Sequence, residues 1–201
     1  MMNDEQDQEL RPAIFLDRDG TVNEERHYLS DPELVALTEN VGQGIAAANA
    51  AGFLVVVVTN QAGVARGYFS LADVAAVNRR IEELLATESA RIDRFYACPH
   101  HPREGIGEYL VDCECRKPKP GMLLQAAREF GIDLGRSFLI GDSRTDLEAG
   151  AAAGCRTMLV RTGHGVAVEV TPEDVAALKI CGILPNAFEA ITRALELARS
   201  S

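Results

Sequence analysis

The stretch FLVVVVT, at residues 53–59, decides the fold class of this chain. It is a continuous apolar and β-branched run, preceded by Gly52 and followed by Asn60. A run without polar alternation is typical of a strand that is buried on both faces, as in a parallel sheet covered by helices. We therefore expect this segment to lie inside a parallel sheet.

Similar short apolar runs flank it on both sides and alternate with helix-like stretches. Further strands are predicted at residues 13–17, 94–98, 137–141 and 157–161, with a short edge strand at 177–181. Helices are predicted at residues 41–51, 71–88, 122–130, 145–153 and 186–199. This alternation predicts an α/β fold, a Rossmann-like parallel sheet with helices on both faces. Ligands of such sheets bind beyond the carboxyl ends of the strands.

Length and composition predict one domain. The chain has 201 residues, of which 47% are hydrophobic, so it can bury a core without disulfides or a structural metal. We expect a disordered lead-in over residues 1–11 and a single domain over residues 12–201.

The charge of the chain excludes several classes of partner. Lys and Arg number 20 against 30 Asp and Glu, which gives a net charge of −10. Nucleic acids and anionic membranes attract basic surfaces, so neither is an expected partner. No apolar run approaches the ~20 residues of a membrane span, and the acidic start does not look like a signal peptide. We therefore expect a cytoplasmic protein.

Two carboxylates directly follow the first predicted strand, in the segment DRDGT at residues 17–21. Asp17 and Asp19 can converge on one site because Gly20 permits a tight turn. One aspartate could attack phosphorus to form an aspartyl-phosphate while the other protonates the leaving oxygen. Since two anions repel a phosphate dianion, this chemistry needs a divalent cation, and Mg²⁺ prefers oxygen ligands. The alternative is an Asp-rich turn that merely ends a strand.

The segment GDSRTD, residues 141–146, ends another predicted strand with two more acids. Asp142 is placed to complete a magnesium site with Asp17, and Asp146 to support it through water. The alternative is that Asp142 caps the following helix.

Other polar residues could hold the phosphate itself. Thr59 and Asn60 end the second strand, where a hydroxyl and a backbone N–H can bind phosphoryl oxygens; alternatively they simply open a loop. Arg116 and Lys117, with Lys119, supply the local positive charge that an anionic substrate requires.

Three of the five cysteines lie in one long loop, residues 98–119. Thiolate and imidazole are the preferred zinc ligands, and a structural zinc site takes four of them. We predict a zinc site made by Cys98, Cys113, Cys115 and one histidine, for which the spacing favours His100 over His101. The alternatives are buried free thiols or a redox pair.

Together these motifs resemble the haloacid dehalogenase-like (HAD) superfamily of aspartate-nucleophile phosphatases. The resemblance implies a HAD-like sheet without a large cap domain. It implies that Asp17 is the nucleophile and Asp19 the acid/base, and that Thr59 and Lys117 steady the phosphoryl group. Mg²⁺ would be held by Asp17, Asp142 and the carbonyl of Asp19.

Within that superfamily, residues 12–163 are similar to the branch of heptose 1,7-bisphosphate phosphatases, in AIFLDRDGTVN, VVVTNQAGVARGYF, CPHHP and CxCRKPxPGM. This implies an enzyme that removes the C7 phosphate of a sugar bisphosphate, with a product that feeds the synthesis of nucleotide-activated heptose for lipopolysaccharide and other surface glycans. We separately expect a monomer. The implied zinc ligands are Cys98, His100, Cys113 and Cys115. Arg116 would recognise the phosphate that is not cleaved. The implied substrate contacts are Glu25, Arg26, His27, Tyr28, Thr59, Asn60, Gln61, Ala62, Arg116, Lys117 and Ser143.

Two other functions compete with this one. The histidinol-phosphate phosphatase branch shares DRDGT, the zinc cysteines and CRKP, but it usually has a shorter loop between the cysteine pairs. A non-catalytic binding protein could keep the fold, but every member of the acid set is present. Two departures bear on the site: Ser143 stands where some relatives carry Lys, and Ala62 where Ser is common.

Overall fold

Six parallel strands form one sheet in the computed structural model of the protein, which describes residues 10–200. The strands are β1 (Ala13–Leu16), β2 (Leu54–Asn60), β3 (Arg94–Cys98), β4 (Phe138–Gly141), β5 (Arg156–Val160) and β6 (Ile180–Leu184). Their order in the sheet is β3-β2-β1-β4-β5-β6, and every neighbouring pair is parallel. The predicted α/β fold with a parallel sheet is confirmed.

Helices cover both faces of the sheet, as predicted. They are α1 (Val41–Ala50), α2 (Ala62–Ala65), α3 (Leu71–Ala86), α4 (Gly121–Phe130), α5 (Arg144–Ala153), α6 (Pro172–Ala177) and α7 (Ala187–Arg199). Successive residues of β1 point to opposite faces. Ile14 packs in the cluster that includes Ile45 of α1 and Ile191 of α7, whereas Phe15 packs with Leu123 of α4 and Ala149 of α5.

The structure differs from the prediction near the last strand. The edge strand lies at Ile180–Leu184 rather than at 177–181, because α6 occupies the residues up to Ala177. Thr171 caps this short helix by accepting a hydrogen bond from the backbone N–H of Asp174, and Pro172 stands at its first turn. The short helix α2 was also not predicted.

The structure describes only the last two residues of the predicted lead-in, residues 10 and 11. Residues 1–9 of the predicted lead-in lie outside the described residues, but Arg11 is already paired, since its backbone bridges Ile132. None of the helices within residues 10–200 is long and apolar enough to cross a bilayer.

The strand order places the reversal of the topology at β1. The chain runs outward from β1 through β2 to β3, and later outward from β4 to β6 on the other side. The carboxyl ends of β1, β2 and β4 therefore open at the same edge of the sheet, where ligands of such folds bind. No separate cap domain covers this edge within the described part of the chain.

Candidate active site

A buried lysine and three aspartates meet at this edge. Lys117 comes from the loop between β3 and α4, and its Nζ lies 2.6 Å from Asp17 Oδ1 and 2.6 Å from Asp146 Oδ1. The same ammonium donates to the carbonyl oxygen of Val58, at 2.7 Å, so three protein oxygens surround it. Asp142, directly after β4, places a carboxylate oxygen within 4.8 Å of those of Asp17 and Asp146.

This acid cluster fits a divalent cation. Three carboxylates and one ammonium leave a formal charge of 2− in a buried place, which is the charge that Mg²⁺ would balance. Oxygen ligands are what Mg²⁺ prefers. Asp17, Asp142 and Asp146 could therefore hold the ion. The predicted ligands were Asp17, Asp142 and the carbonyl of Asp19, so Asp146 is an additional candidate ligand.

Burial and the closeness of the carboxylates to one another also shift the pKa values of the cluster. Burial raises the pKa of Asp17 to about 8; the Lys117 ammonium opposes this, and the charges of Asp146 and Asp142 add to it. Burial and the charge of Asp146 raise the pKa of Asp142 to about 7. Burial alone would lower the pKa of Lys117, but the two carboxylates beside it hold that pKa well above its usual value. A bound cation would favour the ionised carboxylates that the chemistry needs.

Asp142 is held by backbone on two sides. The N–H of His164 donates to its Oδ2 at 2.7 Å. A Cβ at either Gly20 or Gly163 would overlap this same oxygen, and both glycines have positive φ. The glycine of the DRDGT segment is therefore required by close approach to Asp142 as well as by the turn.

Asp19 is oriented by three neighbours. Gln61 Nε2 and Asn23 Nδ2 donate to its carboxylate at 2.9 and 3.0 Å. The fully buried guanidinium of Arg18 lies 2.9 Å away and also donates to Asn78 of α3. The sequence analysis assigned no role to Arg18, although its place between two acids in DRDGT was a signal for such a contact.

The end of β2 contributes three residues to the site. Thr59 is buried and its hydroxyl accepts a hydrogen bond from Gln61 Nε2 at 2.9 Å. The amide of Asn60 donates to the carbonyl of Lys117 and accepts from the Lys117 N–H, each at 3.0 Å. Asn60 thus fixes the backbone of the lysine segment, a task that the sequence analysis did not predict.

Above these residues lies a cleft of about 350 Å³. Most residues predicted to contact a substrate line it, namely Glu25, His27, Tyr28, Thr59, Asn60, Gln61, Ala62, Arg116, Lys117 and Ser143. Arg26 does not line it and instead pairs with Glu24 on the surface. The Ser143 hydroxyl is engaged with Asp146 Oδ2 at 2.5 Å.

Three polar lining residues were missed from the sequence: Arg66, Thr145 and His164. Arg66 follows α2, and its guanidinium lies 5.5 Å above the ring of Tyr28. His164 Nε2 lies 3.8 Å from Glu25 Oε2 across the cleft. The ARGYF segment was quoted as a motif, but nothing in it marks the arginine as facing the cleft.

The predicted zinc residues converge. The Sγ atoms of Cys98, Cys113 and Cys115 lie 3.1 to 3.5 Å apart, and His100 Nδ1 lies 3.5 Å from Cys115 Sγ and 3.9 Å from Cys98 Sγ. A tetrahedral zinc site with ordinary bond lengths would separate its ligand atoms by about 3.5–3.8 Å. The four side chains therefore fit zinc, and His100 rather than His101 is the histidine of the cluster.

The pKa of one thiol already favours metal binding. Its hydrogen bonds with Cys98 and Cys113, with His100 nearby, lower the pKa of Cys115 below its usual value. Thiolates, not thiols, bind zinc.

The zinc loop, residues 98–119, also holds the arginines of the cleft. Arg116 Nη1 donates to the carbonyl of His100 at 3.1 Å. Glu104 pairs with Arg66 and accepts from its Nε at 3.0 Å. The Ile106 N–H donates to the carbonyl of Ala65 at 2.8 Å, which ties the loop to α2.

Comparison with known proteins gives the same architecture and a family assignment. A sequence profile of the HAD-hydrolase-like family matches residues 114–179. The D-glycero-alpha-D-manno-heptose-1,7-bisphosphate 7-phosphatase of Burkholderia mallei is 45% identical over 148 residues, which are 74% of this chain and 78% of that protein. The corresponding beta enzyme of Pasteurella multocida is 39% identical over 183 residues, 90% of this chain and 99% of that protein.

A solved structure matches along the whole fold. The D,D-heptose 1,7-bisphosphate phosphatase of B. bronchiseptica, complexed with magnesium and phosphate, superposes with a TM-score of 0.78 at 33% identity. The match covers 94% of this chain and 99% of that chain. Identity of this extent, together with the shared fold, means that the chain belongs to the heptose 1,7-bisphosphate 7-phosphatase family of the HAD-like hydrolases.

Proposed function

We propose that the protein is a Mg²⁺-dependent phosphatase that hydrolyses the C7 phosphate of D-glycero-D-manno-heptose 1,7-bisphosphate and releases heptose 1-phosphate. The observation that carries this proposal is the meeting of an acid cluster and two arginines in one cleft. Asp17 and Lys117 stand at its floor, and Arg66 and Arg116 line it as well. A reacting phosphate and a second, unreacting phosphate can therefore be bound at the same time.

At the floor, Asp17 is the nucleophile. Lys117 engages Oδ1, so Oδ2 is the oxygen assigned to attack the phosphorus. The bond from phosphorus to the C7 oxygen breaks as the aspartyl-phosphate forms, and Asp19 gives a proton to the departing alkoxide. Asp19 then takes a proton from water, which attacks the aspartyl-phosphate and restores the free carboxylate of Asp17.

The residues around the reacting phosphate compensate its negative charge. Mg²⁺ held by the acid cluster would offset the repulsion between Asp17 and the phosphate. The ammonium of Lys117 is surrounded by Asp17, Asp146 and Val58, so it acts chiefly through its charge. Thr59 adds a hydroxyl beside the phosphoryl oxygens.

At the other end of the cleft, Arg116 recognises the uncleaved phosphate, because a planar guanidinium suits the bidentate binding of an oxyanion. We assign Glu25, His27 and Tyr28 to the sugar, together with the segment from Gln61 to Ala62. Ser143 acts indirectly, since its hydroxyl holds Asp146. Arg26 lies outside the cleft, so its contact with substrate would require movement of its loop.

We further propose that residues 12–201 act as one domain and as a cytoplasmic monomer. Residues of this chain supply the acid cluster, Lys117 and both arginines of the cleft. The five cysteines of the protein are unpaired, which suits a reducing compartment. The product would enter the synthesis of nucleotide-activated heptose.

The test is a comparison of substrates in Mg²⁺. We expect kcat/KM for the two anomers of the heptose bisphosphate to exceed that for histidinol phosphate by at least about 100-fold, since two charged contacts to the second phosphate are lost with a monophosphate. Preference for histidinol phosphate would replace the proposed substrate. Release of no phosphate from any of them would favour a binding protein.

A further inference from the structure

A second concave site lies at the opposite edge of the sheet from the active site. Its volume is about 380 Å³. The residues around it precede or begin the strands, or belong to the end of α7, and include Pro12, Phe53, Arg136, Arg156, Leu195 and Arg199. The amino ends of β1, β2, β4 and β5 therefore surround a pocket that phosphoryl transfer does not use.

Among residues 10–200, three arginines line this pocket and no carboxylate does. Within residues 10–200, the side chains of Arg136 and Arg199 form no hydrogen bond or ion pair with the protein. Arg193, on the same helix as Arg199, is paired with Glu196. In a chain with a net charge of −10, unpaired guanidinium groups at one place create a local positive field that attracts an anion.

Arg156 is held in position by an aromatic ring rather than by an acid. Its guanidinium carbon lies 4.1 Å from the ring centre of the buried Phe138. Its Nε is buried and has no acceptor among the described residues. Stacking fixes the plane of the guanidinium, so the nitrogens at its tip are the ones left to bind an oxyanion.

The floor of the pocket is apolar. Phe53 and Leu195 are both buried side chains that line it. A cavity of this size is typical of sites for small organic molecules. A polyanionic macromolecule is a poor fit, because the rest of the chain is acidic and would repel it.

We propose that this arginine pocket, formed by Arg136, Arg156 and Arg199 above Phe53 and Leu195, binds a small phosphate ester. The arginines take the phosphate, and the organic part of the ligand covers the apolar floor. Guanidinium groups bind phosphate through paired N–H donors, and the floor gives a preference for esters over inorganic phosphate.

The experiment is calorimetric titration of the full-length Asp17→Asn protein, in which the probes are not hydrolysed. The probes are ADP, phenyl phosphate and inorganic phosphate. We expect at least one ester to bind with a Kd below about 1 mM, and more tightly than inorganic phosphate. Arg136→Gln and Arg156→Gln should each weaken that binding by about tenfold or more, as expected for a charged hydrogen bond.

Two controls decide where the ester binds. Arg193→Gln removes an arginine of α7 that does not line the pocket and should leave the Kd unchanged. Lys117→Gln, at the floor of the active-site cleft where a single phosphate group would bind, should also leave it unchanged. Arg136 is exposed, so its replacement should not alter the thermal unfolding midpoint. Binding that depends on Lys117 but not on Arg136, or no ester binding with a Kd below about 1 mM, would overturn the proposal.

Discussion

The two sides of the active-site cleft are supported in different ways. Asp17 and Asp142 follow β1 and β4, whose residues are entirely buried, so the packing of the sheet fixes where they lie. Arg116 belongs to the zinc loop, which contributes little to the core, and its side chain is held by the carbonyl of a zinc-cluster residue, His100. The aspartates of the reacting side thus depend on the core, whereas Arg116 on the recognition side depends on a cluster of four side chains. Lys117 of the floor belongs to the same loop as Arg116, but Asn60 of β2 anchors its backbone.

This difference teaches how one site can combine chemistry with selectivity. The floor must place charges to within tenths of an ångström, and strand ends in a closely packed core do this. The loop can change in length and sequence while a metal cluster keeps it closed. A substitution on one side of the cleft should therefore impair the function of that side and leave the function of the other side largely intact.

The largest loss of turnover is expected from Asp17→Asn. The amide is nearly isosteric with the carboxylate but is a far poorer nucleophile and metal ligand, so turnover should fall by about 10³-fold or more. The thermal midpoint should not fall, because the change removes one charge from a crowded acid cluster. Phosphate release in Mg²⁺ and thermal unfolding measure the two effects. Turnover within tenfold of the unmodified protein would disprove covalent catalysis by Asp17.

The second effect concerns zinc. Cys113→Ser should release the metal, loosen residues 98–119 and lower kcat/KM for the bisphosphate by more than about tenfold. Aryl phosphates, which need only the floor, should suffer less. Metal analysis and kinetics on both substrates test this. Cys181→Ser, outside the cluster, is the matched control and should keep its zinc. A fully active preparation with no zinc would contradict the site.

Arg116→Ala should separate the two ends of the substrate. We expect a loss of about 1.5–3 kcal/mol in kcat/KM for the bisphosphate, the range for a charged hydrogen bond, and little loss for p-nitrophenyl phosphate. Steady-state kinetics on the two substrates give the answer. Equal losses would mean that Arg116 acts at the reacting centre.

The smallest effect on catalysis is expected from Glu104→Gln, which removes the ion pair between the zinc loop and Arg66. An exposed ion pair is worth about 0–1 kcal/mol. KM for the bisphosphate should therefore rise by no more than about fivefold, with kcat unchanged. Glu108→Gln, on the same loop, is the matched control. A fall in kcat without a change in KM would show that Glu104 affects the chemistry instead.

The floor of the site was predictable because its positions follow from the sheet. Asp17, Asp142 and Asp146 stand just after buried strands, and the rule that ligands bind at carboxyl ends brought them together. The zinc cluster was predictable from ligand type and count. Arg66 was not, since its orientation depends on α2 and on Glu104 from a distant loop. Arg26, a predicted substrate contact, lies outside the cleft, where it pairs with Glu24.

The edge strand illustrates another limit. Residues 177–181 contain three apolar side chains and an apolar cysteine among five, but the T-P-E-D sequence at residues 171–174 supplies a helix start that extends through Ala177. Because this helix ends only at Ala177, the strand begins at Ile180 and extends to Leu184, later than predicted.

The hydrogen bonds between Asn60 and Lys117 have a consequence for the order in which the protein gains activity during synthesis. The two residues are 57 positions apart, so the lysine cannot be fixed until everything between them has left the ribosome and packed. Asp142 and Asp146 emerge later still. A growing chain can therefore bury β1 and β2 early without being able to split a phosphate ester. Activity is a property of the nearly finished chain, and truncated products that lack Asp142 and Asp146 would not consume substrate.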